Sequence, residues 1–354
     1  MKQQSVLIGM SGGVDSSAAA SVLQEAGFSC IGCTMQLYCD PNSSADNAAD
    51  ARSVAKKLDI PFHIFDFQKD FHSQVISRFI RCYEEGLTPN PCIECNRHLK
   101  FGVMLEKALA LGCNYIATGH YAQIRRDPQT GRYLLCKAAD RAKDQTYFLY
   151  SLTQHQLSHT LFPLGRLTKE EARQIAEKQG FLNARKRDSQ DICFVPDGDY
   201  VAFMKEYTGN TYPGGNYLDL DGKVVGTHQG AVCYTLGQRK GLGIALGAPV
   251  YVCGKNMRDN TVTLGPNEAL FHNALRAEDW NWIPFPALTQ PLRVTAKIRH
   301  SQTEQPATVY PEGSGTARVV FDQPQRAITP GQAVVLYQED TVVGGGTITE
   351  AFTI

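Results

Sequence analysis

No stretch of this chain stays apolar for the roughly 18 residues that a membrane-spanning helix needs, and Met1 is not followed by a basic-then-apolar leader. Both absences predict a cytoplasmic protein with no membrane partner. Net charge is missing as well: 35 Lys and Arg offset 35 Asp and Glu, so the bulk field does not favour nucleic acid. Two common nucleotide signatures are absent. No G-x-x-x-x-G-K-S/T occurs, so the lysine that such a loop extends to the outer phosphates is lacking. Gly9, Gly12 and Gly13 do not fit the dinucleotide pattern G-x-G-x-x-G either. There is no internal repeat and no low-complexity tail. The 11 cysteines are an odd number without a leader, which argues for thiols in a reducing compartment and against a disulfide framework.

What is present begins at the amino end. At 354 residues, 43% hydrophobic and 20% charged, the chain has the make-up of a globular protein with two or three domains. Ser5 to Met10 is a short apolar run suited to a buried parallel strand. Ala18 to Gly27 has helical spacing, with Ala19, Val22, Leu23 and Ala26 on one face and Gly27 as the stop. Between them Gly12 and Gly13 let the backbone approach a ligand, and the helix start offers unpaired N–H groups to an anion. Ser11, Ser16 and Ser17 can add donors, and Asp15 can hold a magnesium ion that shares the phosphate charge. The string SGGVDS at 11–16 resembles the pyrophosphate loop of ATP-pyrophosphatases, which split ATP between the alpha and beta phosphates and adenylate a substrate oxygen.

Strand-like runs at Ile31–Met35, Phe62–Phe65 and Tyr115–Thr118 alternate with helical patterns at Ala45–Leu58 and Phe101–Leu111. That alternation predicts an α/β unit over 1–204, a doubly wound parallel sheet with ligand sites at the carboxyl ends of its strands. A small central α+β or β domain is expected over 205–267, where Pro213-Gly214-Gly215, Asp221-Gly222 and Gly241 to Gly247 break the chain. From 268 to 354, runs at Leu292–Ile298, Ala307–Val309, Ala317–Phe321, Ala333–Tyr337 and Thr341–Gly346 predict an antiparallel β-barrel. Between His120 and Gln190, 13 Lys and Arg stand against 7 Asp and Glu, a local excess that permits RNA binding without establishing it.

The cysteines divide by setting. Cys30, Cys33, Cys113, Cys136, Cys233 and Cys253 lie in apolar or strand-like surroundings and read as core packing, while Cys39 and Cys82 carry no signal. Cys92 and Cys95 form a C-x-x-C in a loop stiffened by Pro89 and Pro91. Cys193 follows a charged run in which Arg187 is placed to lower its pKa and favour the thiolate.

Seven strings in order, GMSGGVDSS at 9–17, TPNPCIECN at 88–96, ATGHYA at 117–122, KDQTYFL at 143–149, DSQDICF at 188–194, YTLGQRKGLG at 234–243 and TPGQAVV at 329–335, resemble the tRNA-specific 2-thiouridylase family over nearly the whole chain. The resemblance implies ATP bound by Gly9, Met10, Ser11, Gly12, Gly13, Val14, Asp15 and Ser16, with its adenosine near Met35 and Gly119. It implies that the oxygen on carbon 2 of the wobble uridine is adenylated. Sulfur then arrives as a persulfide on Cys193, and Cys95 releases it through a transient Cys95–Cys193 disulfide. Matching the motifs puts tRNA contacts on Asn90, Pro91, Cys92, His120, Lys143, Asp144, Gln145, Arg299, His300 and Gln332. The implied partners are tRNAs for lysine, glutamate and glutamine, and a cysteine desulfurase or sulfur-relay protein.

The chain departs from the pattern at Cys92, where many family members carry an aspartate assigned to proton transfer or base positioning. A thiol acts as a base only when its pKa is lowered, so that role is not carried over. Cys92, Cys95 and Cys193 are also a ligand set for a [4Fe-4S] cluster with one open iron, and Cys92, Cys95 and His98 for zinc. The metal-free persulfide route is preferred, with the cluster second. Two rivals stand beside it. Another pyrophosphate-loop ligase or amidating enzyme needs SGGVDS but neither thiol, and a non-enzymatic RNA-binding protein needs neither.

Overall fold

The computed structural model describes residues 3–38, 48–184, 186, 192–195, 197–313 and 315–354. The first unit runs β1 (Ser5–Gly9), α1 (Val14–Glu25), β2 (Ser29–Gln36), α2 (Ala49–Lys57) and β3 (Phe62–Asp66). A helical stretch follows: α3 (Gln68–Phe71), a π-helical turn, α4 (Ser77–Glu84), α5 (Pro91–Glu94), a π-helix over Cys95–Val103 and α6 (Met104–Ala110). Then come β4 (Tyr115–Ala117), a hairpin of β5 (Gln123–Arg126) and β6 (Tyr133–Cys136), α7 (Gln154–Ser158), β7 (Thr160–Leu161), α8 (Lys169–Lys178) and α9 (Tyr200–Thr208). A division of the chain at 204 therefore cuts through α9.

Five strands form a sheet in the order β3-β2-β1-β4-β7, and every pair is parallel. Val6, Leu7 and Ile8 are wholly buried, because β1 is central and covered on both faces; that is why it is continuously apolar rather than alternating. The chain leaves β1 for β2 on one side and later returns to β4 on the other. The crevice between the ends of β1 and β4 is thus the switch point where such sheets take ligands. α1 begins at Val14, ahead of the apolar spacing that predicts it, because the loop residues Val14–Ser17 themselves make its first turn.

The helix expected over Phe101–Leu111 is shorter, Met104–Ala110, since the nine residues before it are π-helical and Met104 N–H donates to the Leu99 carbonyl five residues back. The start of the Ala45–Leu58 expectation lies outside the described residues, and the rest forms α2.

The central unit is a four-stranded sheet made by β8 (Gly215–Leu218), β9 (Val224–His228), β10 (Tyr251–Asn256) and β11 (Thr261–Gly265), in the order β10-β11-β8-β9. Beyond it lie β12 (Phe271–Trp282), β13 (Leu292–Lys297), β14 (Gln305–Gly313), β15 (Thr316–Arg326), β16 (Ala333–Gln338) and β17 (Thr341–Phe352). Because β12 pairs with both β15 and β17, these six antiparallel strands close into a barrel. β12 was not among the expected strands: Arg276, Glu278, Asp279 and Asn281 interrupt its apolar pattern, and its pairing is broken by bulges on both sides.

The barrel is joined to the first unit by more than the chain. β6 pairs with β17 at Cys136 and Thr341, so the β5–β6 hairpin extends the barrel sheet. A single core runs through both, from Phe101, Tyr147 and Tyr150 to Val335, Tyr337 and Val342. Gly345 of β17 makes this possible. A Cβ there would lie 2.5 Å from the Tyr150 ring and 2.8 Å from the Val334 carbonyl oxygen. Gly345→Val therefore overpacks the seam and costs about 1–3 kcal/mol, which thermal unfolding reads as a lower Tm. Gly254→Ala, whose new carbon would only touch Thr263 at 3.7 Å, should melt close to the wild type. Equal melting of both variants would contradict the packing of this seam.

Candidate active site

The phosphate loop is built from backbone outward. Met10 N–H donates to the Cys33 carbonyl at 2.7 Å and Thr34 Oγ1 to the Met10 carbonyl at 2.7 Å, which fixes the loop to β2. The Met10 and Val14 side chains are buried, so only their backbone can face a ligand. Gly13 caps α1 without any side-chain bond to the helix start, which leaves N–H groups of the first turn to meet an anion. Ser16 Oγ and Ser17 Oγ both donate to the Gly13 carbonyl, at 3.1 and 2.9 Å, and Ser16 Oγ also accepts from Ser11 N–H at 3.2 Å. Gly12 sits at φ +71°, and a Cβ on it would press to 2.9 Å from Asp50.

Residues the sequence did not single out complete the loop. Asn183 Nδ2, buried, donates to the Gly12 carbonyl and to Ser17 Oγ, each at 2.9 Å. Asp15 was expected to hold magnesium, but both of its oxygens lie 2.8 Å from Lys169 Nζ, and Tyr121 OH donates to Oδ1 at 2.8 Å. The carboxylate is thus paired with an ammonium in this structure, and no step is derived through magnesium at Asp15. Met35 stands at the end of β2, two residues past the partner of Gly9. Gly119 closes the crevice from β4, where a Cβ would meet the Ser16 nitrogen at 2.7 Å.

The cysteine segment is positioned differently. Asn90 caps α5, accepting from Cys92 N–H at 3.2 Å, with the buried Pro91 at its first position. Cys92 is exposed, Cys95 buried, and Cys193 exposed beside Phe194, whose ring packs on Phe71 and Phe79. Burial pushes the Cys95 thiol up to about 11, and the neighbouring sulfurs of Cys193 and Cys92 add to it. Cys193, although its surface is exposed, is raised too, first by the protein packed around its sulfur and then by Cys92; Arg187 was expected to lower it. Arg187 lies outside the described residues. The cation that opposes these shifts is Lys100, which lowers both thiols. It lies five residues after Cys95 in the π-helix, where that spacing returns to the same face.

The three cysteines are thus electrostatic neighbours, yet among the described residues no three or more His, Cys, Asp or Glu are placed to hold a metal ion. His98, the candidate fourth zinc ligand, faces Glu94 at 3.3 Å. The described cysteines are free thiols; Cys233 and Cys253 are half-buried, not the core residues expected, while Cys30, Cys33, Cys113 and Cys136 are buried.

His120 connects the two halves. Its Nδ1 lies 2.7 Å from Thr118 Oγ1, and its ring packs on Phe101 and Phe162. Burial, helped by Lys100, holds its pKa well below the ordinary value, so the imidazole is neutral near pH 7. Several residues matched to tRNA contact also bond within the protein. Gln145 Oε1 accepts from Tyr121 N–H at 2.9 Å, and Asp144 accepts from Ala138 N–H at 2.9 Å and from Thr146 at 2.6 Å. Gln332 Nε2 donates to the Thr88 carbonyl at 2.9 Å, so a barrel loop grips the cysteine segment. Arg299 donates to the Arg326 carbonyl at 3.2 Å, and His300 packs 4.4 Å from the Phe148 ring. Lys143 follows in the same segment, its N–H bonded to the Asp140 carbonyl.

Comparison with known proteins gives three family models that tile the chain: a tRNA methyl transferase HUP domain at 4–197, a tRNA methyl transferase PRC-barrel domain at 201–266, and an aminomethyltransferase beta-barrel domain at 272–348. The tRNA-specific 2-thiouridylase MnmA of Clostridioides difficile (strain 630) is 49% identical over 97% of this chain and 97% of that protein. The protein of the same name from Symbiobacterium thermophilum is 51% identical over 98% of this chain and 92% of that one. A solved 4-thiouridine synthetase–RNA complex with bound ATP shares 16% identity at a TM-score of 0.37, covering 58% of this chain and 50% of that one, which is too loose to bear on function.

Two outcomes test this geometry. Gly12→Ala forces a side chain into a left-handed backbone and against Asp50, a strain of about 1–3 kcal/mol; ATP affinity, measured by titration calorimetry, should fall at least about tenfold. Iodoacetamide at pH 8 should label Cys92 well before Cys95 in peptide maps, and Cys95 labelling should rise about tenfold per pH unit toward its pKa. Equal labelling at pH 8 would contradict the burial of Cys95.

Proposed function

The chain belongs to the tRNA-specific 2-thiouridylase family and is by that membership a tRNA sulfurtransferase, and we propose that it adenylates the wobble uridine with ATP before replacing its carbon-2 oxygen by sulfur. The observation that carries this reading is the adjacency of Gly119 and His120. The first abuts the backbone of the phosphate-loop helix, and the second packs on Phe101 of the helix that bears Cys95. Nucleotide chemistry and thiol chemistry therefore face each other across two consecutive residues.

In the proposed sequence ATP lies along Gly9–Ser16, and the helix start and serine hydroxyls stabilise the charge that grows on the phosphates. The uridine oxygen attacks the alpha phosphate, pyrophosphate leaves, and the poor leaving group becomes AMP. A neutral His120 beside the base can hydrogen-bond to it without competing for the phosphate. A sulfur donor, a cysteine desulfurase or a relay protein, loads Cys193 as a persulfide. The Cys95 thiolate then attacks the Cys193 Sγ and breaks the persulfide bond. The terminal sulfur leaves as sulfide and displaces AMP from carbon 2. Two electrons pass to that sulfur, a Cys95–Cys193 disulfide remains, and an external thiol must reduce it before the next turnover. Lys100 favours the thiolate of both cysteines. The step requires the Cys95 and Cys193 sulfurs to reach bonding distance.

The substrates proposed are the anticodon loops of tRNAs for lysine, glutamate and glutamine, whose unstacked bases cost little to present. The need for tRNA, ATP and a thiol reductant places the reaction in the cytoplasm. Because the described side chains do not assemble a three-ligand metal site, no step is derived through an iron–sulfur cluster or zinc.

Cys95→Ser and Cys193→Ser should each abolish thiolation, by about a thousandfold or more given the loss of a covalent nucleophile. Both should still convert ATP to AMP and pyrophosphate in the presence of unmodified tRNA. Thiolation surviving either substitution would rule out the Cys95–Cys193 persulfide route, whereas a wild type that never thiolates tRNA would leave an amidating or ligase activity as the better reading. Pyrophosphate release that ignores tRNA would sink the RNA substrate.

A further inference from the structure

The phosphate loop has no lysine of its own, yet ATP brings several negative charges to it. Helix N–H groups and hydroxyls offset only part of such a charge in a half-buried site. One ammonium stands at the mouth of the loop, and it comes from 154 residues further along the chain: Lys169 Nζ, 2.8 Å from both oxygens of Asp15. Asp15 is the second residue of α1, and Gly119 packs against its backbone. The ion pair therefore borders the same crevice as the loop.

Lys169 is held there on all sides. It is the first residue of α8, whose start is fixed by a capping box in which Thr168 and Glu171 bond to each other's backbone N–H. Its own N–H donates to Asp140 Oδ2 at 3.0 Å. Ala172 and Ala176 of α8 are buried on the side facing α1, alongside Ala18, Ala19 and Ala20 of α1. The Lys169 side chain is only 11% exposed and that of Asp15 30% exposed, so the ammonium is held in a largely desolvated setting where a charge contact is worth more than in water. The other lysine nearby, Lys186, pairs with Asp50 but is 58% exposed and would have to be ordered on binding.

We propose that Lys169 is the phosphate-binding cation of this site, supplied from α8 in place of the missing loop lysine and held toward the nucleotide by Asp15 and Tyr121. This rests on the reading that ATP binds at Gly9–Ser16. An ammonium already fixed in its rotamer loses little entropy when a phosphate arrives. Placed between a carboxylate and a phosphate, it satisfies both charges at once. Asp15 is then the holder of the lysine and not the receiver of a metal ion.

The test is titration calorimetry on the full chain with ATP, once in EDTA and once with excess magnesium, and with adenosine as the ligand that has no phosphate. The wild type must bind ATP; if it does not, the nucleotide reading fails before this one is reached. Lys169→Met should weaken ATP at least about tenfold, the loss expected for one charge-assisted contact, and leave adenosine unchanged. Lys169→Arg should recover most of the ATP affinity. Lys169→Met alone strands the Asp15 charge, so the decisive variant is the double substitution Asp15→Asn with Lys169→Met, which removes both charges. It should stay as weak for ATP as the single variant. Recovery of ATP affinity in the double variant would overturn the proposal, since Lys169 would then serve only to neutralise Asp15. An equal loss for adenosine would overturn it as well.

Discussion

The approach of Gly119 to the first turn of α1 is the contact on which the rest depends. A single methyl group at residue 119 would lie 2.7 Å from both the Asp15 carbonyl carbon and the Ser16 nitrogen, so β4 can reach the phosphate loop only as bare backbone. That close approach sets the width of the crevice at the switch point of the sheet. It also sets where the next residue, His120, points. From there the chain of contacts passes through Phe101 to the π-helix and its cysteine. Because packed interiors hardly compress, a shift at one end would be felt at the other.

The barrel is tied directly into this arrangement. Arg97 of the cysteine helix pairs with Asp279 of β12, Asn281 Nδ2 donates to the carbonyls of Tyr150 and Leu152, and Thr88 N–H donates to the Pro330 carbonyl. The basic stretch that hinted at RNA is also partly spent on this seam. Lys137 pairs with Glu304 and Arg141 with Asp340, both at 2.6 Å, and Arg132 donates to the Ile283 carbonyl. A local positive excess in sequence is thus partly cancelled by carboxylates brought from the barrel. The zero net charge of the chain has a structural counterpart here.

The thiols show how burial and reactivity are balanced. Cys95 is pushed toward its neutral form by desolvation, which protects it from adventitious oxidation. Lys100 opposes that shift at both Cys95 and Cys193. In an α-helix residues five apart diverge around the axis, whereas the wider π-turn brings them back into line. Irregular helix geometry here has a chemical consequence.

Local pattern determined much of this protein. The apolar run of β1, the glycines and serines of the loop, the helix that follows and the alternation of strands and helices were legible because each is written in neighbouring residues. So were most barrel strands, by their period of two. β12 was not, because it pairs on both sides through bulges and its polar residues mask the alternation. Nor could spacing reveal Asn183 and Lys169 at the phosphate loop, or Gln332 on the cysteine segment, since each acts across more than 150 residues. Asp15 makes the difference plain: its place in the loop was fixed by sequence, but its partner was decided by how α8 packs against α1. Short-range preferences choose the elements. Which charge meets which is settled only when those elements are pressed together and every buried ion must find its opposite.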